Sequence, residues 1–375
     1  GVHPGGQAMR FTGLDKKLLA HIDLAALSLT IALAVIGLVS IYSATHANNP
    51  AIYTRAQYWF VISLAMLTAA VAINYHLLER FAYVIYGGSI ALLLLVAAIG
   101  KSSGGAQRWL DLGVLSLQPS EIAKIALIIM LARHFSLKNL AGRGLDIKDL
   151  IVPVLIIIAP FFLVMHQPDL GTSIILLAIF CSMTLVVGIR LRTIVAIGVV
   201  ISAIMPFAWL SLKDYQKARL TSFLNPGQDP FGSGYHLLQS KIAIGSGGFF
   251  GKGFTHGTQG KLMFLPEHHT DFIFSILAEE WGFIGASIVV LIFFALILKG
   301  LGAAASSKDR FGFLLAFGIS SMLFWHVVIN LAMVTGLLPV VGVPLPFLSY
   351  GGSFLAVTMT AMGLIINIRM RRFIF

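Results

Sequence analysis

Residues 24–41 read LAALSLTIALAVIGLVSI, a run of 18 residues without a charged side chain. As a helix, this run is about as long as the hydrocarbon layer of a bilayer is thick, roughly 30 Å. Comparable runs recur and predict about ten membrane-spanning helices, at about 22–44, 57–74, 80–100, 118–135, 150–166, 170–188, 192–211, 272–299, 311–335 and 346–368. The sequence therefore predicts an all-α integral membrane protein.

The overall composition supports this prediction. Of the 375 residues, 58% are hydrophobic and 11% are charged, and so few charges would not cover a soluble domain of this length. The sequence lacks the alternation with a period of two that is typical of membrane β-barrels. Its single cysteine, Cys181, excludes an internal disulfide. We expect residues 1–8, ahead of Met9, to be a cloning remnant and residues 9–375 to form one domain.

Basic residues follow the predicted loops and indicate the topology. A net charge of +11 would suggest nucleic-acid binding in a soluble protein, but here short basic loops indicate orientation and contact with anionic lipids. With an even number of spans, these residues fall on one side: Arg10, Lys16, Lys17, Lys138, Arg143, Lys148, Arg190, Arg192, Lys299, Lys308, Arg310, Arg369, Arg371 and Arg372. Both termini are therefore predicted to be cytoplasmic, and the long segment at about 211–270, between spans seven and eight, to be extracytoplasmic.

Two charged residues enter the otherwise apolar fourth span. Glu121 and Lys124 are three residues apart and therefore share one face of a helix. Charges within a membrane face a cavity or one another because isolated charges are costly there. Two interpretations stay open: an internal ion pair that only fixes packing, or a pair that also faces a substrate.

A second polar cluster ends the long extracytoplasmic segment. Asp271 is predicted to lie in the first turn of the eighth span, where the helix dipole favours the ionised carboxylate. One interpretation is a helix cap made by Thr270 or Asp271, and the other is a carboxylate that accepts a proton from a substrate hydroxyl. The spacing of Glu267, His268, His269 and Asp271 matches no metal motif, so no dedicated metal site is predicted. A divalent cation shared with a phosphate-containing ligand stays an option.

Two stretches rich in glycine or proline lie on the same predicted side. Residues 244–253, IGSGGFFGKG, fail to match a phosphate-binding loop and indicate a compact loop with close backbone approach. Residues 338–353, LPVVGVPLPFLSYGGS, cannot form a continuous helix, and they predict either a structural hairpin or the lining of a cavity. Glu279 and Glu280 are predicted two turns farther along the eighth span from Asp271.

Taken together, these segments resemble the SEDS family of bacterial cell-wall proteins, and its elongation branch more than its division branch. The resemblance runs from about Ile22 to Arg369. It rests on residues 105–113, 118–124, 167–172, 234–236, 239–248 and 266–274, and on the proline-rich run that ends at Ser353. Each piece is short, and their order and spacing make the match specific.

The resemblance implies a peptidoglycan glycosyltransferase, a multi-pass protein of the bacterial cytoplasmic membrane with its active site on the extracytoplasmic side. Such proteins polymerise lipid II during cell elongation, alongside a class B penicillin-binding protein, other proteins of the elongation complex and membrane lipids; no nucleic-acid partner is expected. By position, Asp271 corresponds to the family's essential aspartate. The chemistry of an inverting transfer makes it the candidate general base. Glu121 and Lys124 correspond to polar residues of the central cavity.

Further residues are candidates to line the cavity or to stabilise the leaving pyrophosphate. They are Arg108, Trp109, Arg219, Lys241, Lys252 and Ser349. Apart from the shared divalent cation, no cofactor is implied. Two other functions fit the same features, because each also needs a polar cavity within many spans. One is a flippase for the same lipid, and the other is a non-catalytic scaffold that activates the penicillin-binding protein.

Overall fold

The structure, a computed structural model, describes residues 21–47, 49–103, 106–111, 116–138, 144–211, 217, 221–223, 232–261 and 269–372. Its main helices in these ranges are α1 (Leu24–Thr45), α2 (Pro50–Ala72), α3 (His76–Arg80), α4 (Ala82–Ile99), α5 (Pro119–Leu137), α6 (Ile147–His166), α7 (Leu170–Val187), α8 (Leu191–Ser211), α9 (Ser233–Ser246), α10 (Thr258–Lys261), α11 (Ile273–Ala305), α12 (Arg310–Thr335) and α13 (Gly352–Arg371). Strands β1 (Lys101–Ser103), β2 (Ala106–Asp111) and β3 (Ser116–Leu117) pair in that order as a small antiparallel sheet, which the sequence did not predict.

Eight of the described helices are long and apolar enough to cross a membrane: α1, α2, α4, α6, α7, α11, α12 and α13. Two more helices, α5 and α8, coincide with the remaining predicted spans. Helix α5 carries Glu121, Lys124 and Arg133, three charges in an otherwise apolar segment. The predicted helical membrane protein is confirmed, while the count of ten spans and the side of each terminus stay predictions.

Side chains at the helix starts explain several of the boundaries. The carboxylate of Asp23 accepts a hydrogen bond from the Ala26 amide at the start of α1, and Asp309 accepts one from Gly312 at the start of α12. Such caps satisfy backbone donors that have no partner within the helix. Helix α12 ends at Thr335, and the next residue, Gly336, has a φ of +79°, a left-handed conformation that glycine adopts easily.

Helices α12 and α13 form the centre of the bundle. Within their most apolar windows, 72% of the residues of α12 and 83% of those of α13 are buried, against 22% for α4. Helix α13 packs closely along α2, because a Cβ at Gly363 would lie only 2.6 Å from the carbonyl oxygen of Leu67. Polar residues on α12 therefore face protein on most sides, whereas α4 exposes apolar side chains such as Leu94.

The basic loops lie together at one end of the bundle, which we call the basic end. Here Arg369 and Lys299 pair with Asp23, and the Tyr75 hydroxyl donates a hydrogen bond to Asp309. Burial and this hydrogen bond raise the pKa of Tyr75, so the hydroxyl keeps its proton and acts as a donor. The gathering of these loops at one end fits the positive-inside prediction.

Helix α11 is broken at Gly282, where the sequence predicted a continuous eighth span. Gly282 has a φ of +67°, and a Cβ there would lie 2.3 Å from the amide nitrogen of Gly251. The loop after α9 docks into this break: the amides of Phe283 and Ile284 donate to the carbonyls of Gly248 and Phe249. The compact glycine loop predicted at 244–253 is confirmed from Gly247 onward, whereas residues 244–246 are the helical end of α9. Docking of this loop is the physical reason for the break.

The proline- and glycine-rich segment between α12 and α13 is non-helical, as predicted. Helix α13 begins at Gly352, so the tenth span starts later than the predicted residue 346. The segment packs tightly: a Cβ at Gly171 would lie 2.8 Å from the carbonyl oxygen of Val341, and one at Gly37 would lie 2.1 Å from that of Phe347. Buried protein surroundings thus accommodate the non-helical backbone.

Candidate active site

The predicted pairing of Glu121 with Lys124 is present and is almost fully buried. The Lys124 Nζ lies 2.8 Å from the Glu121 Oε2, and the two residues are 0% and 3% exposed. Pro119 in the first turn and Gln118 at the N-cap start α5, which places both charges near the beginning of this helix. Lys124 also lies 5.2 Å from the ring centroid of Phe354.

Lys124 has a further partner on the central helix α12. Its Nζ lies 2.9 Å from the Nε2 of His326, whose Nδ1 lies 3.3 Å from the carbonyl oxygen of Pro344. A lysine ammonium only donates, so Nε2 accepts and the ring proton lies on Nδ1, which donates to Pro344. The imidazole therefore joins the ion pair to the proline-rich segment.

Asp271 lies in a turn before α11 rather than in its first helical turn, which corrects the prediction. Helix α11 begins at Ile273, and Phe272 holds the N-cap position that was expected for Thr270 or Asp271. The Oδ2 of Asp271 faces Gly342, where a Cβ would lie 3.3 Å away. Gly342 has a φ of +74°, so both the backbone and the space favour glycine beside this carboxylate.

Three consecutive carbonyls hold the Asp271 turn in place. The carbonyl of His269 accepts from the Tyr350 amide at 2.8 Å, and that of Thr270 accepts from the Ser349 hydroxyl at 2.6 Å. The carbonyl of Asp271 itself accepts from the Nδ2 of Asn330 at 2.8 Å. Each donor belongs to α12 or to the segment that follows it.

Ser349, predicted to line the cavity, is 3% exposed and hydrogen-bonds the backbone. Its Oγ accepts from the Leu345 amide at 2.7 Å while it donates to Thr270. Both hydrogen-bonding roles of this hydroxyl are thus occupied within the protein. Ser349 fixes the non-helical segment against the Asp271 turn.

Arg108 lies over the junction of α6 and α7. Its guanidinium donates to the carbonyls of Gln167 and Pro168 and lies 3.9 Å from Asp169. Asp169 caps α7 by accepting from the Thr172 amide, and the side chain of Gln118, at the start of α5, donates to it at 3.3 Å. Arg108 is therefore linked to the start of the helix that carries Glu121 and Lys124.

The remaining candidate residues have other contacts. Lys252 bonds the Oε1 of Glu279 at 2.6 Å, beside the break in α11, and Lys241 on α9 lies against Gly336 at the end of α12. Trp109 lies in β2, where it pairs with Lys101. The candidate Arg219 lies outside the described residues, as do Glu267 and His268. Across the described ranges, no group of three or more histidine, cysteine or acidic residues could hold a metal ion.

Sequence reasoning missed two residues of this site, His326 and Asn330. They lie four positions apart on α12, hence on one face, and they are 2% and 0% exposed. Two polar residues four positions apart in an otherwise apolar span are the sequence pattern from which they could have been predicted. Together they connect the ion pair on α5 with the turn that carries Asp271.

Comparison with known proteins assigns this arrangement to a family. A sequence profile of the FtsW, RodA and SpoVE proteins, described as cell cycle proteins, matches residues 21–373. The chain belongs to the FtsW/RodA/SpoVE family. The resemblance to SEDS proteins is thereby confirmed, and the individual relatives that follow bear out its elongation branch.

Individual members of the FtsW/RodA/SpoVE family match along nearly the whole chain. The peptidoglycan glycosyltransferase MrdB of Escherichia coli K12 is 42% identical over 353 residues, 94% of each chain. The rod shape determining protein RodA of Thermus thermophilus is 28% identical, with a TM-score of 0.70 over 94% of this chain and 98% of its own. A chain in a peptidoglycan synthase complex that coordinates polymerization and crosslinking is also 28% identical, with a TM-score of 0.81 over 94% and 99%.

Proposed function

We propose that this chain is a peptidoglycan glycosyltransferase that polymerises lipid II for cell elongation, with Asp271 as its general base. The main support for the proposal is that two features meet at α12. One is the buried ion pair, and the other is the Asp271 turn, in which three successive backbone carbonyls accept hydrogen bonds. The 42% identity to a relative named peptidoglycan glycosyltransferase supports the reaction class.

The proposed reaction forms one bond and breaks another at the same carbon. The oxygen of an acceptor sugar hydroxyl attacks the anomeric carbon of the donor, the bond from that carbon to the pyrophosphate breaks, and the hydroxyl proton passes to the Asp271 carboxylate. Attack opposite the leaving group inverts the anomeric carbon and needs no covalent enzyme intermediate. A carboxylate of ordinary pKa suffices if it is ionised and correctly placed.

Position is the main contribution that the protein makes to this chemistry. Asn330 lies five residues before the end of α12, so the Asp271 turn that it holds is recessed by about 7 Å along the helix. Asp271 is partly exposed there, so a substrate can reach it. Orientation of two bound reactants can supply on the order of 7–11 kcal/mol of the barrier.

We assign Arg108, which is partly exposed, to contact with the leaving pyrophosphate, and the fully buried Lys124 to the fixed charges that surround it. Lys124 is balanced by Glu121 and oriented by His326, so its position is fixed before any substrate arrives. Donors that are fixed in advance stabilise developing charge without reorganisation. A divalent cation bound together with the pyrophosphate would add to this stabilisation, and we propose it only as a part of the substrate complex.

We further propose that the site faces the extracytoplasmic side of the inner membrane, since the basic end lies opposite and basic loops face the cytoplasm. The apolar outer surface of the bundle suits the polyprenyl tail of lipid II and the surrounding lipids. A class B penicillin-binding protein is the proposed partner. The fold similarity to a chain of a synthase complex that couples polymerization with crosslinking supports such a partner.

The deciding experiment uses the purified chain with fluorescent lipid II in detergent, where no vesicle is present. We expect glycan chains from the wild type and none from Asp271→Asn, which keeps the shape and removes the base. Asp146→Asn at the start of α6 is the matched control and should polymerise normally. Lipid II movement across vesicles without polymer in detergent would support the flippase. An active Asp271→Asn protein would refute the assigned base.

A further inference from the structure

Asn330 makes two hydrogen bonds with a single amide group. Its Nδ2 lies 2.8 Å from the carbonyl oxygen of Asp271 and 2.7 Å from that of Val343. The side chain is 0% exposed, and its Oδ1 has no hydrogen-bond partner among the described residues. The amide is therefore oriented by its two donor contacts alone.

These two carbonyls belong to the two backbone segments next to the Asp271 carboxylate. The first is the backbone of Asp271, and the second lies next to Gly342, which faces the Asp271 Oδ2. One amide thus fixes the backbone that carries the carboxylate and the backbone that the carboxylate faces. A change at Asn330 would alter the position of Asp271 relative to its surroundings.

His326 extends the same connection toward the ion pair. It lies one helical turn before Asn330 and binds the carbonyl of Pro344, the residue after Val343, while its other nitrogen accepts from Lys124. Two adjacent carbonyls of the proline-rich segment are therefore bound by two residues of one helix face. Helix α12 determines the relative position of Asp271 and Lys124 through these contacts.

We propose that Asn330 is a positioning residue for glycosyl transfer, which holds the Asp271 carboxylate toward the acceptor hydroxyl and, with His326, sets its position relative to Lys124. The inference rests on the proposed function, because it assumes that Asp271 takes the proton. Asn330 touches no reacting atom. Its loss should lower the turnover number while leaving the binding of lipid II largely intact, since a displacement near 1 Å can cost about 100-fold in rate.

A purely structural role is the competing explanation, and the chain offers a matched control for it. Asn367 on α13 is also 0% exposed, and its Nδ2 donates to the carbonyls of Ala70, Val71 and Ile73 at the basic end. It is thus an asparagine of equal burial that clamps backbone carbonyls far along the bundle from Asp271. Replacing either asparagine by leucine keeps the branched shape and leaves buried carbonyls without their donor.

The test compares Asn330→Leu with Asn367→Leu by melting temperature, affinity for fluorescent lipid II, and KM and kcat of polymerisation in detergent. Both variants should melt at lower temperature. We expect kcat to fall about 30- to 100-fold only for Asn330→Leu, with KM and affinity within about threefold of wild type. Asn330→Ser retains one hydroxyl donor, so it should be intermediate in kcat, and it carries the test if the leucine variant fails to fold.

The inference is overturned if Asn330→Leu loses no more kcat than Asn367→Leu at a similar melting temperature, or if its defect lies in KM. Asp271→Asn in the same assay separates this failure from that of the proposed function. An active Asp271→Asn variant would remove the proposed base itself. An inactive Asp271→Asn variant beside a normal kcat for Asn330→Leu would remove only the positioning role.

Discussion

Removing Lys124 tests whether the buried ion pair is part of the site or only of the packing. In Lys124→Met, the side chain stays unbranched and becomes one atom shorter, and Glu121 loses its cation in a site where Lys124 is 0% and Glu121 is 3% exposed. Breaking a buried pair from one side typically costs about 3–5 kcal/mol, because a charge is left without compensation. For a chain of this length, the melting temperature should therefore fall on the order of 5 to 10 °C.

The double variant Glu121→Gln/Lys124→Met isolates the coupling between the partners. Glu121→Gln keeps an amide oxygen that can accept from Lys124 but removes the compensating charge, so Lys124 stays a buried cation and the variant should cost about as much as Lys124→Met. The double variant contains no charge at either position, so its loss should be close to that of one single variant. The coupling energy should then be at least about 2 kcal/mol.

Thermal unfolding and lipid II polymerisation of the three purified variants give the two readouts. Lys299→Met is the control, since Lys299 lies 4.0 Å from Asp23, is 35% exposed, and should cost less than about 1 kcal/mol. We expect all three site variants to lack polymerisation, even though the double variant should be about as stable as either single variant. A double variant that polymerises like the wild type would refute a role in the site and leave the ion pair as packing. Strictly additive losses would refute the coupling.

Two further predictions concern the loop that docks at the break in α11. Gly251→Ala should destabilise the protein by at least about 2 kcal/mol, because φ is +80° and the new Cβ would lie 2.0 Å from the Glu280 carbonyl oxygen. Gly302→Ala is the control: its Cβ would meet nothing within 4 Å, so the melting temperature should stay nearly unchanged. Lys252→Met should cost about 1–3 kcal/mol, since Glu279 keeps donors from Thr258 and Gln259. For Lys252→Met, polymerisation per folded molecule should stay within about threefold of wild type. A folded but inactive Lys252→Met protein would instead support a contact between Lys252 and the leaving pyrophosphate.

The apolar runs were sufficient to predict the long apolar helices, because a span needs about 20 apolar residues and little else in the sequence has that length. The shorter helices α3, α9 and α10 were not predicted. Glu121 and Lys124 could be paired from spacing alone, since residues three apart share a helix face. The break at Gly282 could not be predicted. A glycine within a helix is common, and its left-handed conformation here depends on a loop that contacts it from about 30 residues away in sequence.

The parts of the site that were missed depend on contacts between distant segments. Asn330 and His326 could each have faced lipid, a neighbouring helix or a cavity, and only the central position of α12 decides among these. Lys252 was grouped with the cations for the leaving group because its charge and predicted side were right. Its partner Glu279 lies 27 residues away, and no local pattern indicates that contact.

The Asp271 turn also has a consequence for the order in which the chain is made. Asp271 emerges from the ribosome well before the donors that hold its turn, Asn330, Ser349 and Tyr350. A nascent chain that ends after α12 would contain the carboxylate and Asn330 but neither of the other two donors. The geometry at Asp271 can therefore be completed only when synthesis has passed Tyr350, so an unfinished chain in the membrane has no assembled site.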